Sequence, residues 1–74
     1  MIEIIIEKIK EVAFKKVSNS DDLFASGILT SILAVDLATA LEEEFNITIP
    51  FTEIILENFS TPESIKNYIS TKLK

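Results

Sequence analysis

Seventy-four residues with a net charge of −5 and neither cysteine nor histidine allow one small core and remove disulfides, thiolate chemistry, most zinc sites and imidazole acid–base catalysis together. Area scaling gives about 4,600 Å² of folded surface against about 12,000 Å² unfolded, so roughly 60% can be buried. A domain this small without staples must hold itself by packing, and 47% hydrophobic residues suit that requirement.

Residues 2–16 predict an amphipathic helix. Ile2, Ile5, Ile6, Ile9, Val12 and Ala13 recur at spacings of three and four, which gathers them on one face. Acids lead and Lys15 and Lys16 close the segment, in the sense the helix dipole favours; Glu11 stands one turn before Lys15. The acids threaded through its isoleucines argue against a signal peptide. No apolar run approaches membrane-spanning length, so a soluble cytoplasmic protein is expected.

Residues 17–29 break the pattern. Ser18-Asn19-Ser20-Asp21-Asp22 is turn and cap chemistry. Leu23, Phe24, Ile28 and Leu29 are too apolar for a free linker and predict a loop lying on the core. Gly27, the only glycine, fits a backbone conformation that a side chain would resist. A loop of this length in so short a chain tends to serve a function.

A second helix is predicted from Thr30 or Ser31 to about Phe45, with Thr30 as N-cap. Ile32, Val35, Ala38, Leu41 and Phe45 sketch its inner face, widened by Ala34 and Leu37, while Asp36, Glu42 and Glu43 mark the outer side. Asn46 reads as the C-cap, and Ile47-Thr48-Ile49 as extended chain stopped by Pro50. In residues 51–59, Thr52 is placed to cap a short helix through Ile54, Ile55 and Leu56, with Phe59 packing inward. Ser60 and Glu63 have capping-box spacing ahead of a last helix, with Pro62 in its first turn. Ile65, Tyr68, Ile69 and Leu73 form its stripe. The expected fold is an all-α bundle of three main helices plus one short helix, a single domain over residues 1–74 with a long ordered loop between the first two helices.

Charge is laid out unevenly. All seven lysines lie at or before Lys16 or from Lys66 onward, and nine of the twelve acids lie between them. That acidic middle repels nucleic acid and anionic membrane and steers partners carrying basic patches; simple solubility is the plainer reading.

Catalysis has little to work with. Glu42, Glu43 and Glu44 are consecutive on a helix and point in different directions, as a solvated face does. Asp21 and Asp22 lack calcium-loop spacing. A serine nucleophile needs a base, and none stands near Ser31 in the sequence. A serine where a loop becomes a helix nevertheless suits an attached phosphate, because the free N–H groups there favour an anion. The plainer alternative for Ser31 is an ordinary first-turn residue.

The stretch from Leu23 to Pro50 resembles the carrier-protein family, the acyl carrier proteins and their aminoacyl relatives. The resemblance rests on Gly27-Ile28-Leu29, Thr30-Ser31-Ile32, Leu41-Glu42-Glu43-Glu44-Phe45 and Ile47-Thr48-Ile49-Pro50, and continues through Phe59-Ser60-Thr61-Pro62-Glu63-Ser64-Ile65. The approach Leu23-Phe24-Ala25-Ser26-Gly27-Ile28-Leu29 is closer to stand-alone D-alanyl and aminoacyl carriers than to fatty-acid carriers. It implies that Ser31 receives a 4′-phosphopantetheine arm from coenzyme A through a phosphopantetheinyl transferase that uses Mg²⁺. The arm's thiol then carries an acyl or aminoacyl thioester between an activating ligase and a downstream acyltransferase or synthase. The resemblance thus implies a monomeric, non-catalytic carrier, with Asp36, Glu42 and Glu43 as the expected docking residues. Thr30 stands where the family has aspartate: the capping oxygen is kept and the negative charge is lost. Leu33 is likewise apolar where many fatty-acid carriers are acidic. A fatty-acid or polyketide carrier, or an all-α interaction module that has lost the arm, are the alternatives.

Overall fold

The computed structural model describes residues 1–73, and the regular elements among them are all helical: α1 (Ile2–Ala13), α2 (Ser31–Phe45), a 3₁₀ turn (Phe51–Glu53), α3 (Leu56–Phe59) and α4 (Pro62–Lys72). Helix α1 packs against both α2 and α4, and α3 packs against α4. The core is built from Ile5 and Ile9 of α1, Leu37, Ala38 and Leu41 of α2, Phe59 of α3, and Ile65, Tyr68 and Ile69 of α4. The expected all-α architecture is what forms.

Helix α1 stops three residues before its predicted end. Phe14 adopts a left-handed conformation (φ 59°), and its N–H donates to the Lys10 carbonyl at 2.8 Å. One more turn would have carried Lys16, seven residues after the buried Ile9, onto the inner stripe. The turn at Phe14 keeps Lys16 in solvent and delivers Val17 to the core instead. With the helix ended there, Glu11 does not meet Lys15. It pairs with Lys8 at 3.6 Å, and Lys8 also reaches Glu44 of α2 at 3.4 Å.

The loop over residues 17–29 lies on the core, as its apolar content required. Leu23 and Leu29 are buried, and Leu29 N–H donates to the Leu23 carbonyl at 2.8 Å. Both aspartates organise local backbone: Asp21 accepts from Ser18 N–H at 2.9 Å, and Asp22 from the N–H groups of Phe24 and Ala25. Gly27 sits at φ 79°, where an added Cβ would meet no neighbour within 4 Å, so the demand for glycine is conformational rather than steric. Two backbone bonds tie the loop to the far end of the chain, Leu23 N–H to the Ser60 carbonyl at 2.7 Å and Glu63 N–H to the Asn19 carbonyl at 3.1 Å.

Helix α4 begins one residue later than the capping-box reading placed it. A residue before proline is driven to extended backbone, and Thr61 (φ −135°, ψ 160°) is therefore the N-cap, its hydroxyl accepting from Ser64 N–H at 3.0 Å. Pro62 takes the first helical position. Ser60 closes α3 instead. Leu73 lies past the last turn of α4 and is half-exposed, so the buried stripe ends at Ile69.

Candidate functional site

Helix α2 carries two apolar faces. The inner one is Ala34, Leu37, Ala38 and Leu41, all buried, a complete three–four stripe. Ile32 and Val35, which the periodicity had assigned inward, fall on the opposite side and are exposed, Ile32 to 75%. Leu33, by contrast, packs against the core rather than forming outer surface.

The outer apolar face is half of a groove. Ser31, Ile32, Val35 and Asp36 of α2 face Phe51 of the 3₁₀ turn across an open cavity of about 330 Å³. Residues 31 and 35, and 32 and 36, are i,i+4 pairs, so the α2 wall is one continuous strip along the first turns. Its lining is apolar apart from the Ser31 hydroxyl and the Asp36 carboxylate. Phe51 completes the opposite wall although it is 77% exposed to solvent.

Ser31 is the first residue of α2 and is exposed. Capping falls to Thr30, as expected: its hydroxyl accepts from Leu33 N–H at 3.3 Å, while Ala34 N–H donates to the Thr30 carbonyl at 2.8 Å. Those contacts use the third and fourth N–H groups of the helix. The N–H groups of Ser31 and Ile32 are the remaining first-turn donors, on the strand of backbone that carries the serine hydroxyl. An anion bonded to Ser31 Oγ therefore meets the positive end of a fifteen-residue helix whose first turn contains no acid. A phosphate-linked group with a long apolar-lined track beside it fits these residues.

The three carboxylates proposed to meet partners are not equivalent. Asp36 and Glu43 are exposed, and among the described residues the ion pairs engage Glu3, Glu11, Glu44 and Glu53 instead. Glu42 is half-buried, and its Oε2 accepts from Ile49 N–H at 2.7 Å, which fastens the segment leaving α2 back onto the helix. Asn46 caps α2 in the left-handed conformation (φ 55°).

Below the groove wall, the 3₁₀ turn is also fastened. Its Glu53 accepts from the Tyr68 hydroxyl and from Lys72 Nζ, the latter at 2.9 Å. Tyr68 packs its ring on Phe59 with centroids 5.9 Å apart, and Lys72 lies 5.6 Å above the Tyr68 ring. The Tyr68 hydrogen bond, followed by that of Lys72, holds the Glu53 carboxyl below its ordinary range; burial, then Glu53, pushes the Tyr68 phenol upward. Thr52, expected to cap a short helix, instead lies within the 3₁₀ turn. The break at Ile54 (ψ 74°) comes where that side chain packs against the core, and α3 starts only at Leu56. Phe59 packs inward as expected.

Three main helices, one short one, and a long core-bound loop leading to a serine at the head of α2 define a carrier-type helical domain. The chain belongs to the phosphopantetheine-attachment-site family, whose model matches residues 2–69. The prosthetic group of that family is covalent 4′-phosphopantetheine, and the resemblance read from the α2 motifs is confirmed. Among its relatives, the D-alanyl carrier protein of Bacillus velezensis is 36% identical over 75 residues, covering 100% of this chain and 92% of that protein. The D-alanyl carrier protein of Streptococcus suis is 38% identical over 65 residues, covering 85% of this chain and 82% of that protein. The Bacillus subtilis protein of the same name is 37% identical over 49 residues, covering 66% and 63% respectively. Among the described residues no helix is long and apolar enough to cross a membrane, and no cluster of potential ligands is placed to hold a metal ion.

Proposed function

We propose that Ser31 is the attachment point of the 4′-phosphopantetheine arm and that the cargo is an aminoacyl group, D-alanyl in the first instance. The single observation that carries the site is the exposed Ser31 hydroxyl at the first position of α2, left out of capping by Thr30 and opening onto the apolar groove. The cargo assignment draws on the names of the relatives and on the aminoacyl-carrier character of the residues from Leu23 to Leu29.

In the modification step the Ser31 hydroxyl loses its proton and forms a phosphodiester with the pantetheine-side phosphorus of coenzyme A. The pyrophosphate bond breaks and adenosine 3′,5′-bisphosphate leaves. The transferase supplies Mg²⁺ and the base; this chain supplies a nucleophile held at a fixed place and N–H donors beside the new anion. When bound, the arm supplies a terminal thiol for thioester chemistry that a chain without cysteine lacks. Ile32, Val35 and Phe51 offer apolar surface along its path.

The protein acts as a monomeric, cytoplasmic, non-catalytic carrier. It serves a phosphopantetheinyl transferase, an aminoacyl-activating ligase and a downstream acyltransferase or synthase. Asp36 and Glu43 are the exposed steering charges for basic partners, and Glu42 adds its charge while bracing Ile49. Incubation of the apo protein with coenzyme A, Mg²⁺ and a transferase of broad specificity, read by intact mass, tests the reading. One phosphopantetheinyl mass is expected on the wild type and none on Ser31→Ala. Charging of the modified protein by adenylating enzymes with D-alanine, other amino acids and fatty acids then decides the cargo; fatty-acyl loading alone would overturn the aminoacyl assignment.

A further inference from the structure

Phe51 poses a mechanical problem. It forms one wall of the groove while most of its own surface faces water, so burial contributes little to holding it there. It also sits in a three-residue 3₁₀ turn, closed by Glu53 N–H to the Pro50 carbonyl at 2.9 Å and Ile54 N–H to the Phe51 carbonyl at 3.1 Å. An isolated turn of that length has little stability of its own.

The turn is clamped at both ends by carboxylates. Upstream, Glu42 of α2 accepts from Ile49 N–H at 2.7 Å, two residues before Phe51. Downstream, Glu53, two residues after Phe51, accepts from Tyr68 and Lys72 of α4, and its own carbonyl accepts from Asn58 Nδ2 at 2.9 Å. Tyr68 is largely buried and its ring packs against that of Phe59 at a tilt of 50°, so its hydroxyl is a rigid anchor rather than a floppy one. Both bonds to Glu53 involve its charge, which makes them stronger than neutral ones.

We propose that the Glu53–Tyr68–Lys72 clasp positions Phe51, so that the last turns of α4 set the shape of the groove beside Ser31. Glu53, Tyr68 and Lys72 are positioning residues: none of them lines the groove, and they act through the 3₁₀ turn. The functional importance of the clasp rests on the proposal that the groove receives the arm. Its structural content does not, and is tested on the unmodified protein.

The test is methyl–aromatic NOE intensity between the Phe51 ring and the Ile32 and Val35 methyl groups in apo protein, compared among wild type, Glu53→Ala, Tyr68→Phe and Lys72→Met. Clear NOEs are expected in the wild type. Loss of the clasp lets the wall leave, and a wall in place half of the time halves the NOE and weakens any ligand of the closed groove about two-fold. A drop to about half or less is expected in Glu53→Ala, with smaller drops in Tyr68→Phe and Lys72→Met, while Ile5–Leu37 and Ile9–Leu41 methyl NOEs in the core keep their intensity. Should Glu53→Ala unfold, the Tyr68→Phe, Lys72→Met double variant takes its place. Phe51 NOEs unchanged in a folded variant would overturn the inference, as would a uniform loss of core and groove NOEs together. Failure of Ser31 to take the arm leaves these NOEs unaffected, so the two outcomes are separable.

Discussion

Replacing Thr30 by aspartate, the residue its family places before the serine, is expected to stabilise the protein and to speed its modification. Thr30 caps α2 through a 3.3 Å bond to Leu33 N–H, long for such a contact. A carboxylate there makes a charge-assisted bond, typically about 2.7–2.9 Å, and ranks slightly above threonine as an N-cap. The first turn of α2 holds no acid, so the new charge meets an uncompensated dipole, worth about 0.3–1 kcal/mol at an exposed site. The exposed Asp36 stands six positions further along the helix, and its repulsion is reduced by screening over a Debye length of about 8 Å at physiological salt. The balance is a gain of about 0.5–1 kcal/mol, or about 3–6 °C in Tm for a domain of this size. Thr30→Ala, which removes the cap, costs about 1 kcal/mol. Thermal unfolding by circular dichroism in about 20 mM and about 1 M NaCl separates the terms: the aspartate gain shrinks at high salt, whereas the alanine loss persists. A Tm for Thr30→Asp at or below wild type in low salt would refute the reasoning and show that the acidic surface outweighs the dipole. The same variant should raise the kcat/KM of a basic transferase at low salt and lose that rise at high salt.

Acid should loosen the clasp. Tyr68, then Lys72, depresses the folded-state pKa of Glu53, so its contribution to stability is complete above the unfolded carboxylate value of about 4.3. That contribution is lost as pH falls through the lowered folded value; urea midpoints between about pH 6 and 2.5 should fall less steeply for Glu53→Gln than for wild type. Phe14 holds a left-handed conformation and is 86% exposed, so Phe14→Gly should raise stability by about 0.5–1 kcal/mol, measurable by urea titration. Gly27→Ala should cost about 1 kcal/mol from its positive φ alone, with no steric addition.

Local chemistry made much of this architecture readable. Thr30 and Asn46 bracket α2 because their side chains and conformational tolerance suit helix ends, and the place of Ser31 at the head of the helix followed from that bracket, whereas its reading as an attachment point came from the family resemblance. Gly27 and the apolar loop residues Leu23 and Leu29 declared an ordered loop. The Thr61 cap was also within reach, since Pro62 alone dictates that its predecessor is extended. Other features depend on partners distant in the chain. The end of α1 at Phe14 follows from the burial of Val17, which periodicity within α1 does not contain. Ile32 and Val35 continue an apolar pattern equally compatible with either side of α2; the Ala34–Leu41 stripe decides only once α1 packs on it. Glu42 read as part of a solvated face and Glu53 as only one more acid of the negative middle, yet one bonds a backbone seven residues away and the other an α4 tyrosine fifteen residues away. The groove needed both contacts, so its Phe51 wall had no local signature.

Intact mass of wild-type and Ser31→Ala protein after exposure to coenzyme A, Mg²⁺ and transferase tests the central claim most directly. A gain of one phosphopantetheinyl group by the wild type and no gain by the variant is the predicted result. An unmodified wild type across several transferases, or a variant that still gains the group, would contradict it.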